Sequence, residues 1–138
     1  MAGTLVVDTI QSGASLTPPT ITDSAGTQIG TLCRAWVNFG YVSSAITVRA
    51  SFNVASVTRS AVGTYLITFT NAMPDANYSV CFGNVSSGAT NLTITTVLQG
   101  VYTTGATAKT AASVGIYTGS SAAASIVDVA DVSVNIFR

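Results

Sequence analysis

The sequence predicts an all-β protein, an antiparallel β-sandwich-like knob built from short strands. Three observations carry that prediction. From residue 34 onward, apolar and polar residues alternate with a period of two over most of the chain, the spacing that sends successive side chains to opposite faces of a strand. Turn residues interrupt the alternation about every ten positions, as in sandwiches. No stretch of any length carries the 3.6-residue period of an amphipathic helix.

At the N-terminus, residues 4–10 (TLVVDTI) fit one short strand. Residues 11–31 then place Gly13, Pro18-Pro19, Gly26 and Gly30 among Ser, Thr and Asp. Consecutive prolines fix φ and remove two donors, so this segment is expected to run extended without a ladder of its own. Residues 1–33 are therefore an expected N-terminal arm, ordered against another molecule, and residues 34–138 the β domain.

Within that domain Ala35, Val37 and Phe39 share one face of a strand, with Trp36 and Asn38 on the other. Gly40 to Ser44 reads as a loop. Ile46, Val48, Ala50, Phe52 and Val54 then alternate with polar or small residues, predicting a half-buried strand with Arg49 on its outer face. Val57 to Val62 leads through the Ala61-Val62-Gly63 turn into a strand in which Tyr65, Ile67 and Phe69 share a face. Met73-Pro74-Asp75-Ala76 suits a type I turn. It would join that strand in a hairpin to the next, where Tyr78, Val80 and Phe82 alternate with smaller residues.

The C-terminal third is poorer in aromatic residues. Asn84 to Asn91 reads as a loop. Leu92, Ile94, Thr96 and Leu98 mark a strand, Gly100 to Thr110 a second loop with Val101-Tyr102 as an alternative strand extension, and Ala112, Val114, Ile116 and Thr118 a weak strand. In SSAAASIVDVADV the alanines favour helix and the Val and Ile favour strand. Val132, Val134 and Ile136 close the chain with a clear alternation.

Composition excludes several functions. The chain has no His and no Glu, so Ser-His and Cys-His nucleophilic pairs cannot be built. A paired-carboxylate site needs two converging acids. Only Asp128 and Asp131 are near each other in sequence, and in a strand their spacing sends them to opposite faces, so they read as solvated edge or loop aspartates. Two cysteines without His do not make a zinc site; Cys33 and Cys81 read as free thiols, with Cys81 a small hydrophobe in its strand. No catalytic residue, cofactor or metal is expected. The bases are not clustered, so no nucleic-acid footprint is present. No apolar run approaches the roughly 18 residues of a spanning helix, and the N-terminus lacks the basic and apolar regions of a signal peptide. Folding in a cytosol without membrane insertion is the expectation.

Assembly and recognition remain. Charged residues are 7% of the chain and the formal net charge is zero, a balance that favours self-association. Abundant Ala, Ser, Thr and Gly let sheets or chains approach closely, as a threefold axis requires, which predicts a homotrimer. Tyr41, Tyr102 and Tyr117 lie in or beside predicted loops, where flat apolar rings with a hydroxyl suit sugars; they are the candidate receptor-binding residues. The remaining aromatics are expected in the core.

One group of motifs carries a family resemblance. Ala35-Trp36-Val37-Asn38-Phe39, the run Ile46 to Val54, Tyr65 to Thr70, and Ala72-Met73-Pro74-Asp75-Ala76-Asn77-Tyr78 together resemble a module of bacteriophage tail-fibre proteins, frequent in phages of cyanobacteria and other aquatic bacteria. The segment DTIQSGASLTPPTI and the final VSVNIFR resemble the flanks of that module. The resemblance implies a structural virion protein, a homotrimeric short tail fibre assembled in the host cytoplasm. Residues 1–33 would dock to tail or baseplate proteins, and the β domain would face host surface polysaccharide or lipopolysaccharide. The chain departs from long fibres in having no shaft repeat, which leaves a capsid decoration or head-fibre protein as the alternative.

Overall fold

A computed structural model of the chain describes residues 21–85, 97–102, 105, 108–120 and 125–138. The expected strand at residues 4–10, the Pro18-Pro19 pair, the loop from residue 86 onward and the strand start at Leu92, Ile94 and Thr96 lie outside the described residues. The chain divides between Leu32 and Cys33 into two units. Every described element is a strand paired antiparallel, so the protein is all-β.

In the first unit β1 (Ile21–Thr22) pairs with β2 (Gln28–Gly30). The expected ladder-free run is therefore wrong over these residues. The reason is local. The Asp23 carboxylate accepts the backbone N–H of both Ala25 and Thr27 at 2.9 Å, and the Asp23 and Thr27 backbones close the turn at 2.9 Å. An Asx turn of this kind nucleates a hairpin without any core.

The second unit holds two sheets. One runs β4 (Ala45–Phe52), β3 (Cys33–Val42), β11 (Asp131–Phe137), β7 (Ser79–Val85). The other contains β5 (Val54–Ala61), β6 (Thr64–Phe69) and β9 (Ser113–Ser120), with β8 (Val97–Val101) and β10 (Ser125–Ile126) also paired to β9. Their inner faces share one core. Ala35, Val37 and Phe39 of β3 and Val132, Val134 and Ile136 of β11 meet Tyr65, Ile67 and Phe69 of β6 and Val114 and Ile116 of β9. Phe39 and Tyr65 join the two layers edge to face at 5.1 Å, a favoured aromatic geometry. The period-two pattern of β3, β6, β9 and β11 is thus the imprint of one buried face on each strand.

Three expectations are corrected, and one open segment is assigned. The segment Gly40 to Ser44 is not a loop: β3 continues to Val42, and only Ser43 and Ser44 turn, both at positive φ (51° and 63°). Gly40 is buried there because a Cβ would collide with the backbone of Ala130; it is a close approach of two chain segments, not a turn residue. The β6–β7 hairpin does not exist. β6 pairs with β5 and β9, while β7 pairs with β11, so residues 70–78 cross between the sheets. Matching periods placed Phe69 and Tyr78 on facing inner surfaces, where they meet edge to face at 5.7 Å, instead of side by side. Third, β4 is not half-buried: all its residues except Ile46 are exposed in the single chain. Finally, the ambiguous C-terminal segment has no helix in its described part; Ser125–Ile126 is strand and Asp131 begins β11.

The chain changes sheets between β4 and β5 at Asn53, whose φ is 56°. Asn tolerates this left-handed conformation better than most residues. Its amide donates to the carbonyls of Arg34 and Asn71 at 3.0 and 3.1 Å and accepts the Asn71 N–H at 2.8 Å, tying three segments at one corner.

Candidate functional site

Two of the three candidate tyrosines come together. In β9, Tyr117 stands opposite Thr64 of β6 and Gly100 of β8. Inner and outer residues alternate, so with Ile116 fully buried, Tyr117 belongs to the outer face of this sheet. Its ring occupies the space a Cβ on Gly100 would need. Tyr102, just past β8, meets Tyr117 edge to face at 5.6 Å, and its hydroxyl lies 3.2 Å from Thr64 Oγ1. Tyr102 is fixed by its own backbone: its N–H donates to Gly115 O at 2.9 Å and its carbonyl accepts the Lys109 N–H at 2.8 Å. Both rings are half-buried.

Tyr41 is elsewhere. It lies on the inner side of β3, packed against the core, with the Arg59 guanidinium 4.5 Å over its ring. That cation covers the face a sugar would need. The structure thus brings Tyr102 and Tyr117 into one cluster and leaves Tyr41 out of it.

Around Arg59 is a network that the sequence did not disclose. Asp128 accepts Nε and Nη2 of Arg59 at 2.9 and 2.8 Å, the Gly63 N–H at 2.8 Å and the Tyr65 hydroxyl at 2.7 Å. It is therefore not a solvated loop aspartate. The Arg59 hydrogen bonds, with those from Gly63 and Tyr65, hold its carboxyl at about 2, well below the usual range, against the opposing effect of burial. Burial, reinforced by the Asp128 carboxylate, pushes the Tyr65 phenol up. A carboxylate with four donors has no capacity left for general-base work; it pins residues 127–130 to β5 and β6.

The other described acids are also engaged. Asp131 accepts Asn38 Nδ2 at 2.7 Å and lies 3.7 Å from Arg49. Asp75 takes a two-pronged bond from Arg138 at 3.0 and 2.7 Å and the Asn77 N–H at 2.7 Å, and the Arg138 bond above all lowers its carboxyl to about 2. Lys109 sits 4.6 Å over the Tyr78 ring and donates to the Tyr78 carbonyl at 2.8 Å. Among the described residues no group of three or more Cys, Asp, Glu or His is placed to hold a metal ion, and no helix is long and apolar enough to cross a membrane.

Cys33 and Cys81 are free thiols. Cys33 Sγ donates to Ala35 O at 3.2 Å. Cys81 does lie in a strand, but on the exposed outer face of β7, not as a packed hydrophobe. Trp36 and Phe52 are likewise outward, 37% and 55% exposed, against the expectation that they belong to the core. For Trp36 the signal was available, since it falls on the polar-side phase of its strand; Phe52 shares the phase of Ile46 and Val48, and the register shift between Asn38 and Phe39 turns it to the face of Trp36.

Comparison with protein-family models, with curated proteins and with solved structures finds no match for this chain.

Proposed function

We propose that the chain is a structural virion protein, a short homotrimeric bacteriophage tail fibre. Its N-terminal residues dock to tail or baseplate proteins, and its β domain recognises polysaccharide or lipopolysaccharide on the host surface. The observation that carries this reading is the resemblance of residues 35–39, 46–54, 65–70 and 72–78 to the tail-fibre module. Those residues are not scattered in the fold: they form β3, β4, β6 and the crossing between the sheets. Low charge, committed acids and an outward pair of tyrosines agree with a binding and assembly role better than with catalysis. The receptor contact assigned to the domain is the Tyr102–Tyr117 cluster, two half-buried rings that meet edge to face.

Binding of the purified protein to host envelope polysaccharide tests this assignment. Tyr102→Ala and Tyr117→Ala should each weaken binding about tenfold, equivalent to about 1.4 kcal/mol, whereas Tyr41→Ala should leave it unchanged. Equal loss in all three, or in none, removes the cluster from the receptor site. The second reading, a capsid decoration protein, is favoured by one feature alone: the β domain follows residues 1–32 with no shaft between them.

A further inference from the structure

We infer that Asp128 is the positioning residue of the Tyr102–Tyr117 pair, acting on it through Gly63, Thr64 and Tyr65. This role rests on the receptor reading above and deepens it, because it names what holds that contact in shape.

The pair is built on Thr64. In the β6–β9 register Thr64 stands opposite Tyr117, and its Oγ1 lies 3.2 Å from the Tyr102 hydroxyl. It is buried, with 8% of its surface exposed. The other contact of its hydroxyl, to the Val62 carbonyl, is long at 3.4 Å. Thr64 is also the first residue of β6, and strand ends open most easily. Its place therefore depends on its chain neighbours, and Asp128 holds both. The Gly63 N–H donates to the carboxylate at 2.8 Å and the Tyr65 hydroxyl at 2.7 Å. One side chain thus grips the residues directly before and directly after Thr64.

The Tyr117 side is fastened to the same segment. Thr118 follows Tyr117; its N–H donates to the Gly63 carbonyl at 2.8 Å and its hydroxyl to the Val127 carbonyl at 2.7 Å. Its own carbonyl accepts the Val127 N–H at 3.0 Å. Gly63 leaves no slack between these strands. Its φ is 58°, and a Cβ there would lie 2.6 Å from the carbonyl oxygens of both Thr118 and Val127. Backbone meets backbone, so a displacement of residues 127–128 passes directly to Gly63 and Thr118.

Arg59 fixes the orientation of the carboxylate with its two-pronged bond at 2.9 and 2.8 Å. Asparagine at position 128 keeps the size of the side chain but has one acceptor oxygen in place of two. It cannot keep Arg59, Gly63 and Tyr65 together.

The test uses the full chain with ring-labelled tyrosine. The Tyr102 and Tyr117 ring signals are followed by NMR, beside melting temperature and affinity for polysaccharide extracted from the host envelope. Asp128→Asn should shift both ring signals and weaken binding about fivefold. In a chain already carrying Tyr102→Ala it should cost no further affinity, because the two residues act as one unit. Tyr65→Phe removes one of the four donors and keeps the ring; it should repeat the effect at smaller size, and it serves if Asp128→Asn does not fold. Asn53→Gly is the control. It loses the bonds to Arg34 and Asn71, and by register it adjoins the Phe69 end of β6, away from Thr64. It should lower the melting temperature and leave both ring signals in place. Ring signals unmoved in the folded variants, or moved equally by Asn53→Gly, overturn the positioning role. Binding lost with Tyr102→Ala but kept with Asp128→Asn also overturns it. Ring signals that move while Tyr102→Ala and Tyr117→Ala leave binding unchanged support the positioning and overturn the receptor reading alone.

Discussion

At the scale of single residues, the tightest constraint is the Asp128 carboxylate. Arg59, Gly63 and Tyr65 come from β5, the following turn and β6, and all three donate to it. Its folded-state value of about 2 lies below the roughly 3.9 of an aspartate in an unfolded chain. A depressed carboxylate contributes stability that is complete above the unfolded value and is lost as pH falls through the folded one. Asp75, lowered chiefly by Arg138, acts in the same direction. The melting temperature should therefore be flat from neutral pH to about 4 and fall steeply between about 4 and 2. Asp128→Asn should lower it at pH 7 and make that fall shallower; an unchanged acid profile would show that the Arg59 bond does not stabilise the fold. None of this was legible in the sequence. Arg59 and Asp128 are far apart along the chain, and the pairing within one sheet, with Thr118 bonded to both Gly63 and Val127, brings them together.

At the scale of elements, the sequence was informative wherever one face of a strand is buried and the other is not. β3, β6, β9 and β11 were legible for that reason. It misled where a strand is open on both sides. The alternation Ile46, Val48, Ala50, Phe52 reads like a half-buried strand, yet β4 lies at a sheet edge and only Ile46 packs against the core. Partner choice was also hidden. Period two states that β6 and β7 are strands, but not that the crossing at Met73 carries the chain to the other sheet. There Met73 is held by its N–H to Ala111 O at 2.8 Å. The β3–β4 turn offers a direct check on element-level physics. Ser43 and Ser44 both sit at positive φ, a conformation that favours Asn-Gly in two-residue hairpins. The double substitution S43N/S44G should raise unfolding stability by about 1 kcal/mol, measured by urea denaturation. A loss of stability would mean the turn is held by something other than its backbone conformation.

At the scale of the whole molecule, Trp36 and Phe52 are exposed on the outer face of one sheet, and Tyr102 and Tyr117, the receptor contact proposed above, meet at the other. Of the three tyrosines chosen from loop position, the fold brought two together because β8 and β9 are neighbours, a pairing that no local signal encodes. The division between Leu32 and Cys33 supplies a further prediction. Deleting residues 1–32 should leave the β domain folded and self-associated while abolishing its incorporation into virions. Incorporation of the shortened chain would show that docking resides in the β domain itself. The most direct measurement is the position of the protein on intact particles, by antibody labelling and electron microscopy. A short tail fibre places the label at the tail or baseplate. Label over the capsid, or particles without label, would contradict the account.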